Sequence, residues 1–260
     1  MKAVLLLCLA LLALPAAAKI AVWGDTQAHP RVQTALATAM AAQIPDLVIH
    51  TGDLSHKGDQ AAYTRFFELS APLAGIPLLA VRGNHDGSAE LFSANLGRIN
   101  SWYSSVHDSL LIICLDSNLS LLPGSPQYAW LLEQLRSPLP RILVLHHPPF
   151  SSGYHGGDQD LQLFLPALCA KHSVSAVLSG HDHHYERLSH GETTYLVSGG
   201  GGGIKRPSFK RRDPRSQVLK LKFHFLLLER QGQSLLLSAH DLRGKVFDQS
   251  VIPLLTPTLP

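Results

Sequence analysis

The chain has 260 residues, 45% hydrophobic and 16% charged, with a mean hydropathy of +0.09; this is the profile of a folded globular chain and excludes global disorder. Its 20 Gly and 17 Pro are dispersed and no stretch repeats at a fixed period, which excludes collagen-like and solenoid architectures. The formal charge of +3 is local: Lys205, Arg206, Lys210, Arg211, Arg212 and Arg215 face only Asp213, and residues 19–260 outside that stretch sum to −3.

The first segment stands apart. Lys2 gives a positive start, Ala3 to Leu14 is uninterrupted apolar sequence, and Pro15-Ala16-Ala17-Ala18 offers small residues for cleavage. A spanning helix needs about 20 apolar residues, and Pro15 interrupts this run first. The expectation is therefore a signal peptide over 1–18, cleaved near Ala18, and a single domain over 19–260 that is secreted or periplasmic. No later apolar run reaches spanning length, so no membrane span is expected after cleavage. Export permits disulfides; Cys8 leaves with the signal, and Cys114 and Cys169 remain as either two buried free thiols or one bridge.

From residue 20 short apolar runs alternate with amphipathic stretches: a strand at Ile20–Trp23, a helix near Arg31–Ala42, a strand at Leu47–His50, a helix near Gln60–Leu69 and a strand at Pro77–Val81. Further strands are expected at Leu110–Leu115, Ile142–Leu145 and Ser175–Leu178, with helices at Gln127–Leu135 and Leu161–Lys171. Beyond His184 the helical signal stops. Runs at Tyr195–Ser198, Val218–Leu228, Ser234–His240 and Val246–Ile252 predict antiparallel strands. Gly199 to Gly203 fits neither a phosphate-loop nor a dinucleotide pattern, and its expected role is a turn or a close backbone approach. The basic stretch Lys205–Arg215 reads as a solvated loop, with nucleic-acid binding the weaker reading.

The residues suited to chemistry sit at the strand ends. Gly24-Asp25-Thr26-Gln27, Gly52-Asp53-Leu54-Ser55-His56, Gly83-Asn84-His85-Asp86, His146-His147-Pro148-Pro149 and Gly180-His181-Asp182-His183 each put a metal-capable side chain just past a predicted strand. In an α/β sheet the carboxyl ends of parallel strands share one edge, so residues distant in sequence meet there. Carboxylate and amide oxygens mixed with imidazoles, and no Cys, suit first-row divalent or trivalent ions and argue against a structural zinc finger.

These motifs resemble the calcineurin-like metallophosphoesterase superfamily, and Gly180-His181-Asp182-His183-His184-Tyr185-Glu186-Arg187 is most similar to the GH-x-H-x-YER ending of its purple acid phosphatase branch. The resemblance implies an α/β fold, a four-layer α/β/β/α sandwich, and a centre of two divalent or mixed-valence metal ions (iron, manganese or zinc). It places Asp25 and His183 on one metal, Asn84, His146 and His181 on the other, and Asp53 between them; His147 then lies behind the ligands. Two positions depart from the pattern. Gln27 stands where many members have His, and either ligates weakly or holds a water. His56 stands where the purple enzymes have an iron-binding Tyr, which removes the tyrosinate colour and leaves His56 a candidate ligand.

Two divalent ions less the Asp25 and Asp53 charges leave such a centre near roughly +2, complementary to a phosphate dianion. The implied reaction is hydrolysis of a phosphate monoester on a phosphorylated small molecule, by in-line attack of a metal-bound hydroxide. His85 and His155 are the candidate proton donors to the leaving group, with Asp86 expected to fix the His85 tautomer. A phosphodiesterase acting on nucleotides or lipid headgroups with the same centre is the alternative; a metal-poor scaffold is a third reading, opposed by the presence of all six ligands. His29, His50, His107, His172, His190, His224 and His240 are expected in structural or surface roles, and His184 stays open.

Overall fold

The computed structural model describes residues 18–204 and 212–257. The segment read as a signal peptide, apart from Ala18, and residues 205–211 of the basic stretch lie outside the described residues. In chain order the elements are β1 (Lys19–Trp23), α1 (Pro30–Ala41), β2 (Leu47–His50), α2 (Gln60–Leu69), β3 (Leu78–Ala80), α3 (Ala89–Asn95), β4 (Tyr103–His107), β5 (Leu110–Cys114), α4 (Pro126–Gln134), β6 (Arg141–Val144) and α5 (Gln159–Lys171). Then come β7 (Val174–Ser179), β8 (Tyr185–His190), β9 (Thr193–Ser198), β10 (Ser216–Lys220), β11 (His224–Gln231), β12 (Ser234–Asp241) and β13 (Val246–Pro253).

The helix starts are set by capping chemistry. Asp59, Ser88, Ser125 and Asp158 accept hydrogen bonds from the backbone of Ala62, Leu91, Tyr128 and Leu161, satisfying donors that the first turns of α2, α3, α4 and α5 would leave open. Pro30 and Pro126 occupy the first turns of α1 and α4, where the missing N–H costs nothing.

The strands form a six-stranded sheet in the order β13-β12-β11-β1-β2-β3 and a seven-stranded sheet in the order β10-β8-β9-β7-β6-β5-β4. Alternation along each strand decides what each face meets. On β1, Ile20 and Val22 enter the layer between the sheets, while Ala21 and Trp23 face the cluster with Leu36, Met40, Tyr63 and Phe66 of α1 and α2. On β5, Ile112 and Cys114 turn inward and Leu111 and Ile113 pack toward Leu131 of α4 and Leu165 of α5. Helices, sheet, sheet and helices thus stack as four layers, the α/β/β/α sandwich. Burying each such aliphatic side chain contributes about 1.5–3 kcal/mol, so these three apolar layers are the main stabilising term.

Two expectations about the later strands are corrected. The run Val218–Leu228 is not one strand: β10 pairs with β8 in one sheet, β11 pairs with β1 and β12 in the other, and the chain changes sheets between them. The strand at Tyr195–Ser198 is antiparallel to β8 but parallel to β7 on its other side. Strands β4 and β8 and helix α3 are additions to the elements expected. Cys114 and Cys169 are both buried and free, on opposite faces of the seven-stranded sheet. Among the described residues no helix is long and apolar enough to cross a membrane.

Candidate metal centre

Parallel strands β1, β2 and β3 of one sheet and β6 and β7 of the other deliver their carboxyl ends to one edge of the sandwich. Asp25, Asp53, Asn84, His146 and His181 come two to four residues after these strands. Asp25, Asp53 and His181 hold left-handed backbone conformations, with φ of 58°, 58° and 68°. Such a conformation costs an L residue of order 1 kcal/mol or more. Backbone bonds at the same turns offset it: Asp25 N–H donates to Gly52 O at 2.9 Å and Thr26 N–H to Asp53 O at 3.1 Å. Glycine neighbours are required by space as well. A Cβ on Gly83 would stand 2.1 Å from Asp53 Oδ1, and one on Gly180 would stand 2.4 Å from Asp25 Oδ2.

The side chains converge as two adjoining groups. In the first, Asp25, Asp53 and His183 bring their ligand atoms within 4.8 Å of one another, with His183 Nε2 at 3.4 Å from Asp25 Oδ1. In the second, His146 Nε2 and His181 Nδ1 lie 3.2 Å apart and each is 3.1 Å from Asn84 Oδ1. Asp53 touches both groups, since its Oδ2 is 3.5 Å from His146 Nε2. Asp25, Asp53 and His146 are buried, whereas Asn84 is exposed, so the centre opens to solvent on the Asn84 side.

The residues fit metal ions. Carbonyl oxygens only accept, so the contacts of Thr51 O with His146 Nδ1 at 2.9 Å and of Ile204 O with His183 Nδ1 at 2.7 Å require N–H at those positions. Each Nε2 is thereby turned into the centre as the ligand atom, as metal-binding imidazoles require. Gln27 Oε1 is buried without a hydrogen-bond partner, while Gln27 Nε2 donates to Asp53 Oδ2 at 3.1 Å. Protonation shows the same division. Burial, then the His146, His147, His155 and His183 imidazoles, hold His181 far below the usual histidine range. Burial and His146 lower His147 to about 4. Burial alone would lower His183 too, but the Asp25 carboxylate outweighs it and raises His183 to about 9, a proton that a bound cation would displace.

Three of the expected roles change with the geometry. The Asp86 carboxylate does not orient His85; it accepts the backbone N–H groups of Asp53, Ser55 and Gly83 at 2.8–2.9 Å and so shapes the turn that carries Asp53. His85 Nδ1 instead meets the His56 carbonyl at 3.3 Å, which leaves Nε2 to face outward. His56 is outside both ligand groups: Ser55 is drawn in by Asp86, so the chain turns and the exposed His56 ring stacks on His85 at 5.6 Å. His147 stands closer than expected, its ligand atom grouped with those of His146 and His181 and its Nδ1 2.8 Å from Ser117 Oγ. The exposed His155 ring lies 4.3 Å from the His181 ring.

Supporting residues emerged that carry no motif of their own. Arg82 pairs with the fully buried Asp116 at 2.8 Å and donates to Gly87 O at 2.7 Å, bracing the turn that presents Asn84 and His85. Buried His50 accepts the Gly52 N–H and contacts Thr26 Oγ1, both at 3.2 Å, joining the Asp25 and Asp53 turns. The glycine stretch does approach closely: Gly201 N–H donates to Gly24 O at 2.8 Å, and a Cβ on Gly203 would meet the His183 ring at 2.7 Å.

Residues 18–185 match the family model for the calcineurin-like phosphoesterases, and the chain belongs to that family of phosphoric ester hydrolases. A cAMP/cGMP dual specificity phosphodiesterase of Mycobacterium tuberculosis is 36% identical over 159 residues, covering 54% of this chain and 49% of that protein. The Arabidopsis thaliana protein named "Probable purple acid phosphatase 20" is 29% identical over 209 residues, 66% of this chain and 49% of that one. The chain thus spans about half the length of these curated relatives. The purple acid phosphatase PPD1 from yellow lupin (Lupinus luteus) seeds shares the fold with a TM-score of 0.77 at 20% identity, over 91% of this chain and 54% of that structure.

Proposed function

We propose that this hydrolase cleaves phosphate monoesters outside the cytoplasm, using two metal ions held by Asp25, Asp53, Asn84, His146, His181 and His183. When bound, such ions lower the pKa of water, polarise P–O bonds and orient the ester. The chain's own residues supply the rest. The observation that supports the monoester reading is the exposed His155 ring, 4.3 Å from the His181 ring, with His85 next to the exposed Asn84 in the chain. A phosphate monoester carries three non-bridging oxygens, one more than a diester, and so calls for more donors, in addition to the proton that the leaving alkoxide of either ester needs. His85 keeps Nδ1–H on the His56 carbonyl, so its Nε2 is the atom free to bind or give a proton.

A phosphodiesterase reading is favoured by the relative from Mycobacterium tuberculosis, whose name specifies cyclic nucleotides. Turnover of p-nitrophenyl phosphate with none of the bis(p-nitrophenyl) ester supports the monoester reading; the reverse ratio replaces it. Export rests on Lys2, the apolar run Ala3 to Leu14 and the small residues before Lys19. A mature chain beginning near Lys19, recovered outside the cytoplasm, is the expected result, and an intact Met1 on a cytoplasmic protein overturns it.

A further inference from the structure

The variable positions of GH-x-H-x-YER are here Asp182 and His184, and both are buried, at 1% and 2% exposure. A carboxylate and an imidazole are not buried without partners that justify it. The partners of Asp182 lie on one segment, residues 151–155, which carries His155, while the His184 ring faces Glu186. Asp182 Oδ2 accepts the Ser151 hydroxyl at 2.5 Å, and Oδ1 accepts the His155 backbone N–H at 2.9 Å. Ser151 Oγ in turn accepts the Gly153 N–H at 2.9 Å. Gly153 lies so close that a Cβ there would stand 2.2 Å from Asp182 Cγ.

Glu186, fully buried, holds the same loop from the other side. Its carboxylate accepts the Ser152 N–H at 2.8 Å and the Ser152 hydroxyl at 2.5 Å, and it faces His184 Nε2 at 3.2 Å. Ser152 Oγ also accepts the Asp213 N–H at 2.8 Å. The stretch 151–158 contains Gly153, Gly156 and Gly157 and has no helix or strand of its own, so nothing local would fix it. Hydrogen bonds donated by the loop to two buried carboxylates do so, while the His155 ring stays exposed beside His181.

We propose that Asp182 and Glu186 are positioning residues: they clamp residues 151–155 so that the His155 ring is presented at a fixed place over His181. The proposal rests on the reading of His155 as a substrate-facing group. It explains why the variable position at Asp182 carries a carboxylate in this chain, and it makes the residue between His181 and His183 an anchor of the substrate loop. Catalysis through His155 then depends on the clamp, and the clamp serves catalysis only through His155.

That dependence is testable with metal-loaded full chain on p-nitrophenyl phosphate and bis(p-nitrophenyl) phosphate. Asp182→Ala is expected to lower kcat/KM by about tenfold or more, the scale of a misplaced catalytic group. The double variant His155→Ala/Asp182→Ala is expected to be no slower than His155→Ala alone, since a group already absent cannot be mispositioned. Ser151→Ala, outside the ligand motif, should lower the rate in the same direction with metal content unchanged. Independently of turnover, amide exchange across residues 151–157 should quicken in Asp182→Ala and Glu186→Gln. Additive losses in the double variant, or unchanged exchange in both carboxylate variants, overturn the proposal. A His155→Ala chain as active as the wild type on both esters removes the substrate-facing reading, and the proposal with it.

Discussion

Asp53 Oδ2 lies 3.5 Å from His146 Nε2, and the same carboxylate stands with Asp25 and His183, so Asp53 is the link between the two ligand groups. Its Oδ1 accepts the His85 N–H at 2.9 Å. Asp53→Asn keeps the shape and removes the charge. The expected result is fewer than two metals per chain and a loss of about a thousandfold in kcat/KM, the scale of several kcal/mol that bridged metals supply. Full metal content together with wild-type rate would show that Asp53 does not bridge.

Gly180 tests how tightly the ligand shell is packed. A methyl group there would meet Asp25 Oδ2 at 2.4 Å and Thr51 O at 2.9 Å, one a candidate ligand atom and the other backbone. Gly180→Ala should therefore lower stability by about 1–3 kcal/mol, the usual cost of overpacking, and weaken metal binding at the Asp25 side. Thermal melting with and without added manganese reads both effects; an unchanged melting temperature in both conditions would contradict the packing.

Much of the frame was legible because β1, β2, β5, β6 and β7 are apolar runs ending in Gly, Asp or His, and the alternation of strands with α1, α2, α4 and α5 has the right periods. The outer elements were not. Strand β4 reads Tyr-Ser-Ser-Val-His and β8 reads Tyr-Glu-Arg-Leu-Ser-His, polar sequences whose pairing is decided by neighbours rather than by hydropathy. The break between β10 and β11 is a change of sheet, which an apolar run cannot announce. At the site, motifs mark which residues meet, but the left-handed turns at Asp25 and Asp53 decide where the next residues go. The N–H groups of Asp53, Ser55 and Gly83 converge on the Asp86 carboxylate, and with Ser55 drawn in His56 is left at the surface, which no pattern in the sequence encodes.

Cys114 and Cys169 should be inert. Burial pushes the thiols of Cys114 and Cys169 up to about 12, and the reactive form is the thiolate. Peptide mapping after iodoacetamide at pH 8 should find neither modified in the native protein and both modified after unfolding. Native labelling of either, or a bridge between them, would contradict their placement on opposite faces of one sheet.

Acid sensitivity is expected from His50. Burial, and then the nearby His146, lower this imidazole from 6.5 to about 3. The unfolded chain binds the proton first, so stability falls as pH drops below about 6.5 and continues to fall toward about 3, by up to roughly 1.4 kcal/mol per pH unit for this one group. Melting of chelator-treated protein between pH 7.5 and pH 4 should show the decline, with a shallower slope in His50→Gln. Equal slopes would place the acid sensitivity elsewhere.

The central claim is a working two-metal phosphoester hydrolase, and metal analysis coupled to turnover tests it most directly. Purified protein is stripped with chelator, reloaded separately with iron, manganese or zinc, and assayed for metal content and for hydrolysis of the mono- and bis-p-nitrophenyl phosphates. The predicted result is about two ions per chain with turnover lost on stripping and restored on reloading. Two bound ions without turnover on either ester, or turnover indifferent to stripping, would contradict it.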